Sequence, residues 1–292
     1  MSEFTSALYA KKSNESTNLS LNPSELSEVT NYMINTSLIG NLGTKLTIKD
    51  GNKSVVTFLK NIGQDFSPKT KAGIESVSIP LLESVSIHWN TPEMQAIGFT
   101  RADMNLGLPN VAAAKLDRAQ NDFIKKHEKA GFKIIEDKMS SLSNQKTVKD
   151  LSTLSGKNIW LALSEEAIKL QKLESKTDGI NGVDREDIVI FVKDEIFNKL
   201  AADMIIGNFA QSAALDGVKA INTINGYKIF ACPYLNEADA IIATTFTMAS
   251  MVEVNAANIG TLGITNDLGM YFEAMSLAGI IYESTIRYIA KS

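Results

Sequence analysis

The sequence predicts a mixed α+β fold, and three stretches carry that prediction. Residues Ile74 to Asn90, IESVSIPLLESVSIHWN, alternate apolar and polar side chains with period two. Residues 110–130 carry a helical stripe of small and apolar side chains. From Gly182 to Phe246, an apolar strand pattern, a helix pattern, a Gly-turn hairpin and a second apolar strand follow one another.

Residues 1 to about 22 are rich in Ser, Asn and Thr and read as an arm. NPSELSEVTNYMINT then supplies a helix start, with Asn22 as N-cap, Pro23 at the first helical position and Glu25 in the first turn. Leu26, Val29 and Met33 continue it at helical spacing. TKLTIKDGNKSVVTF reads as a β-hairpin about Asp50-Gly51 or Gly51-Asn52. In the ribbon that follows, Val77, Ile79, Leu81, Val85, Ile87 and Trp89 share one parity. Ser76, Ser78, Ser84, Ser86 and His88 share the other, and Glu83 breaks the apolar set. Unbroken, it would extend roughly 50 Å, and Pro80 implies an edge or a bulge. A ribbon this long is expected to reach across a neighbouring copy. The helix after LGLPN is expected over 110–130, with Asn110 as N-cap, Gly131 as its stop, and Leu116, Ala119, Phe123, His127 and Ala130 as its buried stripe. Arg118, Asp122 and Lys126 are charged i,i+4 neighbours on its other side. Further on, a helix is expected over about 156–174, a turn-rich loop at KTDGINGVDRED and a buried strand at IVIFV. Next come a helix capped by Asp194, two strands around Asn225-Gly226, a strand at ADAIIATTF, and further strand within 268–289.

Composition narrows the class. With 292 residues, 44% hydrophobic and 21% charged, the chain can bury a sizeable core, as one large domain or two modest ones. No window approaches a transmembrane run, and the N-terminal sequence lacks the pattern of a secretory signal. One cysteine excludes an intramolecular disulfide and fits a reducing compartment. A net charge of −4 gives no footprint for sequence-specific DNA binding.

Candidate chemistry is sparse. Cys232, the lone cysteine, lies between Ala231 and Pro233, and only His88 and His127 exist to activate it, so it reads as a small buried residue. HEKAG at His127 lacks the second histidine of a zinc-protease helix, since Gly131 stands there. SGKNIW resembles the end of a phosphate loop, but Leu151 replaces the first glycine and Asn158 the Ser/Thr. TDGINGVDRED has Ile180 at the third calcium-loop position, so it reads as a solvated turn. No catalytic, cofactor-binding or metal-binding residue is nominated, and no cofactor is expected.

The order of the pieces resembles the major capsid proteins of tailed double-stranded DNA phages, the Hong Kong 97-type fold. The resemblance lies in RADMNLGLPNVAAAKLDRAQNDFI before and into the long helix, in GVDREDIVIFVKDEIFNKLAADM, and in INGYKIFACPYLNEADAIIA. It implies an N-terminal arm over 1–41 and an extended β loop within 42–90. It implies a peripheral domain with a spine helix over 91–140, completed by part of 243–275. It implies an axial domain of mixed sheet and helices over 141–242, completed by part of 276–292. By the same resemblance the chain is expected to be a structural protein, not an enzyme. It would self-assemble as hexamers and pentamers into an icosahedral virion capsid in the host bacterial cytoplasm, with no membrane contact. The implied partners are a portal, a scaffolding or decoration protein, and packaged DNA contacted non-specifically. The arm lacks room for the long scaffolding segment of some relatives, so scaffolding is expected from a separate protein. Lys45, Lys49, Lys53, Lys69 and Lys71 all lie in the loop region, and none is nominated for the lysine–asparagine crosslink some relatives make. The competing readings are a bacterial nanocompartment shell of the same fold, a cytoplasmic α+β enzyme with a loop-assembled site, and a phage tail-tube or adaptor protein.

Overall fold

Asn22 starts the first helix by the mechanism its sequence predicts. In the computed structural model, which describes residues 19–43, 55–60, 83–100, 108–206, 223–261 and 268–291, strand β1 (Leu19–Ser20) precedes helix α1 (Pro23–Thr36). The Glu25 N–H donates to Asn22 Oδ1 at 2.9 Å and the Asn22 N–H donates to Glu25 Oε2 at 2.8 Å, a reciprocal capping box. Strand β2 (Val55–Leu59) pairs antiparallel with β3 (Ser84–His88), Val56 opposite Ile87 and Leu59 opposite Ser84. The hairpin expected at Asp50-Gly51, and the ribbon's Val77, Ile79, Pro80 and Leu81, lie outside the described residues. Strand β4 (Glu93–Gly98) leads toward helix α2, Leu108–Asp137, which runs for 30 residues.

Helix α2 is longer than its sequence suggests at both ends. Asn110 lies inside it rather than capping it, because the first turn begins at Leu108 and accommodates Pro109. Gly131 does not stop it. A Cβ there would stand 2.0 Å from Ile39 Cδ1, so the glycine permits close approach of the Ile39–Leu42 turn rather than a cap. The buried stripe also differs: Leu116, Ala119 and His127 are buried, but Phe123 is only partly buried and Ala130 is exposed. Ile124, Phe132 and Ile135 complete the face instead.

Downstream come β5 (Lys146–Val148), α3 (Gly156–Gln171), and a small antiparallel pair, β6 (Glu174–Ser175) with β7 (Ile180–Asn181). The loop expected at KTDGINGVDRED therefore contains the turn and second strand of a hairpin. Strand β8 (Ile188–Val192) is buried throughout, and α4 spans Asp194–Ile206, placing Asp194 in its first turn. Strands β9 (Thr223–Ile224) and β10 (Tyr227–Ala231) flank Asn225 and Gly226. Their φ values of 50° and 85° are what a two-residue hairpin turn requires. Then follow β11 (Ala238–Thr244), β12 (Met248–Thr261), β13 (Leu268–Ile280) and β14 (Arg287–Ala290). Strand β12 is the element the sequence reading lacks. Both its faces are largely buried over residues 248–254, and its register shifts between Val254 and Ala256, so no clean alternation marks it.

Two sheets result. The first has order β1-β12-β13-β4, the second β5-β14-β11-β8-β10-β9. Helices α1 and α2 cover one face of the first, packing Val29, Met33, Leu116 and Ile124 on Val254 and Phe272. The β2–β3 pair covers part of the other face, where Val56, Phe58 and Ile87 meet Ala249, Met251 and Leu277. In the second sheet, Ile188, Ile190 and Val192 face α3 and α4, while Val189 and Phe191 face the end of α2. Alternation along one strand thus feeds two cores. The rod α2, roughly 45 Å long, joins the sheets: Leu116 to Ile124 lie in the first core, Phe132 and Ile135 in the second.

Candidate functional site

Cys232 and His127, two of the residues that could carry chemistry, are committed to packing. Cys232 is fully buried in the core beneath α2, and its backbone N–H donates to Val192 O at 2.8 Å. Burial pushes its thiol up to about 12, with the nearby charges of Glu128 and Asp194 adding to the effect. A thiol held that far from ionisation is not a nucleophile near neutral pH. His127 is buried with Nε2 2.8 Å from Ser250 Oγ, and desolvation lowers its pKa to about 4. His88 is exposed on β3, with the side chain on the face opposite Ile87.

The sequence stretches that imitate motifs resolve into structural contacts. At SGKN, the Gly156 N–H donates to Asp203 Oδ2 at 2.5 Å, so a carboxylate of α4 occupies the start of α3 where a phosphate loop would hold its ligand. A Cβ on Gly156 would lie 2.5 Å from that of Asp203, which fixes glycine there by close approach. In TDGING, Gly179 at φ 67° lies in the hairpin turn, and Gly182 at φ 80° follows β7, its N–H donating to Leu173 O at 2.8 Å. Asp178 in that turn accepts from Lys60 rather than pointing outward.

Buried carboxylates join distant elements. Glu136 on α2 accepts the backbone N–H groups of Asn236, Glu237 and Ala238 at Oε1, each at 2.9 Å, and Asn236 also reaches Oε2 at 3.2 Å. Glu128, one turn after Ile124, accepts the Leu38 N–H at 2.5 Å. Glu166 on α3 accepts from Thr147 Oγ1 at 2.8 Å and Lys169 Nζ at 2.6 Å. Asp239 accepts the Leu151 N–H at 3.2 Å and lies 3.4 Å from Lys193 Nζ. These acids occupy separate places and each satisfies donors that would otherwise be orphaned. The arrangement fixes geometry; it does not converge on a reacting atom. Sequence reasoning missed these contacts because, apart from Lys169–Glu166 within one helix turn, donor and acceptor lie 19 to 102 residues apart in the chain.

What remains open to solvent is surface. Along β4, all residues but Ile97 are exposed, and among the described residues the strand pairs only on its β13 side. Between β4 and α2 lies a shallow cleft of about 200 Å³ lined by Glu93, Met94, Gln95, Asp122, Phe123 and Lys126. Lys126 closes it with an ion pair to Glu93, 2.5 Å long. Its apolar floor is the Phe123–Phe272 edge contact, centroids 6.3 Å apart. On the face away from α2, Asn255 donates to Glu273 at 3.0 Å and Tyr271 also donates to Glu273. No helix among the described residues is long and apolar enough to cross a membrane.

No family model and no curated protein matches the chain. Solved structures do. The chain is similar to one in the capsid of the cyanophage P-SCSP1u, with TM-score 0.61, 11% identity, and 88% of each chain covered. It is similar to one in the capsid of Staphylococcus phage Andhra, with TM-score 0.55, 11% identity, and 86% of this chain and 85% of that one covered. It is also similar to a chain of the satellite phage P4 procapsid, with TM-score 0.55, 13% identity, and 99% and 96% covered. The fold is therefore α+β and shared with phage capsid chains over most of the length.

Proposed function

We propose that the chain is the major capsid subunit of a tailed double-stranded DNA phage, a structural protein that self-assembles into the icosahedral head. The observation that carries the reading is likeness to capsid chains across almost the full length of both partners, 99% and 96% in one comparison. The interior supports the same reading: Cys232, His127 and the buried acids hold elements together.

In this reading residues 1–41 form the arm, 42–90 the extended loop region, 91–140 the peripheral domain and 141–242 the axial domain. Parts of 243–275 and 276–292 complete the last two. Helix α2, shared by two cores, is the rigid member that holds the sheets in fixed relation. The partners are further copies as hexamers and pentamers, a portal, a separate scaffolding or decoration protein, and DNA held without sequence preference. The net charge of −4 is consistent with an absence of base readout. Assembly takes place in the host cytoplasm and the product is the virion shell.

The test is expression of the full chain, alone and with any separate scaffolding protein, followed by sizing and negative-stain microscopy. Closed particles of uniform diameter are expected. A chain that remains monomeric under every condition, including with that partner, refutes the reading.

A further inference from the structure

Asp178 gathers contacts from three separate parts of the chain. It sits in the turn between β6 and β7, and its side chain is 9% exposed. Oδ1 accepts Lys60 Nζ at 2.6 Å, and Oδ2 accepts from Ser284 and lies 3.4 Å from Ser175 Oγ. The Lys60 side chain is only 12% exposed, with Nζ 3.8 Å from Glu83 and 5.6 Å from the centre of the Tyr282 ring. Lys60 and Glu83 face each other just beyond the Leu59–Ser84 pair, where the Lys60 N–H donates to Glu83 O at 2.9 Å. One end of the β2–β3 pair is therefore fastened to the β6–β7 hairpin and to the 283–285 turn.

The rest of the pair is held by different physics. Ile87 lies on Gly279, where an added Cβ would come within 2.7 Å of it. Asn90 donates from N–H and Nδ2 to Ser276 O and Oγ, at 2.9 and 3.2 Å. The Asn90 bonds and the Ile87 contact hold one end of the pair, and apolar contacts are non-directional; at the other end the charge-assisted hydrogen bond of Lys60 fixes direction. From the Ile87 row to Lys60 is four residues, roughly 13 Å of lever. Both charges also have a second partner. If Lys60 leaves, Asp178 keeps the hydroxyls of Ser175 and Ser284, and Lys60 keeps Glu83. Separation thus leaves neither charge orphaned, which an ordinary buried pair cannot avoid.

We propose that Lys60 and Asp178 form a releasable latch that sets the orientation of the β2–β3 pair on the first sheet. Its opening lets the pair tilt about the Ile87–Gly279 contact. In a shell this presets the direction of the pair until contact with a second copy displaces it, a consequence that rests on the function proposed above. The latch itself does not.

The experiment uses the full chain in its unassembled state, with nitroxide labels at Ser86→Cys and Lys172→Cys. Both positions are exposed, and Cys232 is too buried to take label. Pulsed dipolar spectroscopy should give one narrow distance. Lys60→Met and Asp178→Asn should each broaden or shift it while circular dichroism stays native. Lys60→Arg, which keeps the charge beside Asp178 and Glu83, should leave it narrow. An unchanged distribution in folded Lys60→Met overturns the latch. Loss of the fold in both single variants also overturns it, since the pair would then be a folding contact. If distances respond but no particles ever form, the latch stands and the shell reading falls.

Discussion

Phe132→Ala tests whether α2 is the member that joins the two cores. Phe132 lies one residue beyond Gly131, fully buried, where the helix passes from the first core into the second. Its ring meets Phe191 edge-on with centroids 5.0 Å apart and stacks on Tyr234 at 6.1 Å. Truncation removes a whole aromatic side chain from a site walled by a central strand, which cannot collapse inward. The expected loss is about 3–5 kcal/mol. Phe123→Ala is the internal control. Phe123 is the centre of the stripe in the sequence reading, but it is only partly buried and makes one edge contact to Phe272. Its loss should be about 1–2 kcal/mol, from partial burial and one aromatic pair. Urea denaturation of unassembled subunits, followed by circular dichroism, measures both. If Phe132→Ala costs no more than Phe123→Ala, the helix does not carry the junction and the two-core account is wrong.

Glu136→Gln should destabilise by about 1.5–3 kcal/mol, because a neutral amide replaces a carboxylate that accepts three backbone N–H groups; chemical denaturation reads it. His127 titrates at about 4 when folded against 6.5 ordinarily, so between those values the unfolded chain binds the extra proton. Its contribution is whole above pH 6.5, declines as pH falls, and is lost by about pH 4, a difference of about 3 kcal/mol. His127→Gln should flatten that part of the Tm-against-pH curve relative to the native chain, and parallel curves would contradict the assignment. Cys232 should resist a thiol reagent in the native protein at pH 8 and react after unfolding, given its complete burial and raised pKa; rapid native labelling would show the core opening readily. Gly131→Val should abolish soluble subunit, since its added atoms would overlap Ile39, while Gly98→Ala, with open space at its Cβ position, should be tolerated.

Local grammar was legible where one residue settles one local question. Asn22, Pro23 and Glu25 specify a helix start, and Asn225-Gly226 specifies a hairpin, because capping and positive φ are decided within four residues. The apolar run IVIFV was legible as a buried strand for the same reason. Gly131 was misread because a glycine that ends a helix and one that admits a neighbour look alike in sequence. Only the position of Ile39, about ninety residues earlier, distinguishes them. Strand β12 was missed because packing on both faces erases the period-two pattern that marks a half-buried strand. The acid contacts were illegible for a related reason: Glu136 and Ala238 meet only once two sheets have been stacked on one helix.

The described end of the ribbon shows what an apolar face can and cannot report. Val85, Ile87 and Trp89 do share a face, and Ser84, Ser86 and His88 share the exposed one. The sequence reading assigned that apolar face to a neighbouring copy because it is too long for one core. For the described part the opposite holds: Ile87 is buried on Gly279 of its own chain, and Val85 and Trp89 pack against the same cluster. Periodicity reports that a face is covered, and says nothing about which chain covers it. An intersubunit role for the β2–β3 unit therefore depends on surfaces its own sheet leaves free, such as Leu59, which is 63% exposed beside the Lys60–Asp178 contact. Leu59→Ser should consequently leave the subunit's stability within about 0.5 kcal/mol, since the side chain packs little at home. If Leu59 is part of a contact between copies, the same change should slow or prevent particle closure, measured by light scattering under assembly conditions. A destabilised subunit would mean that Leu59 is packed within its own chain, and unaltered closure would remove this end of the pair from the interface.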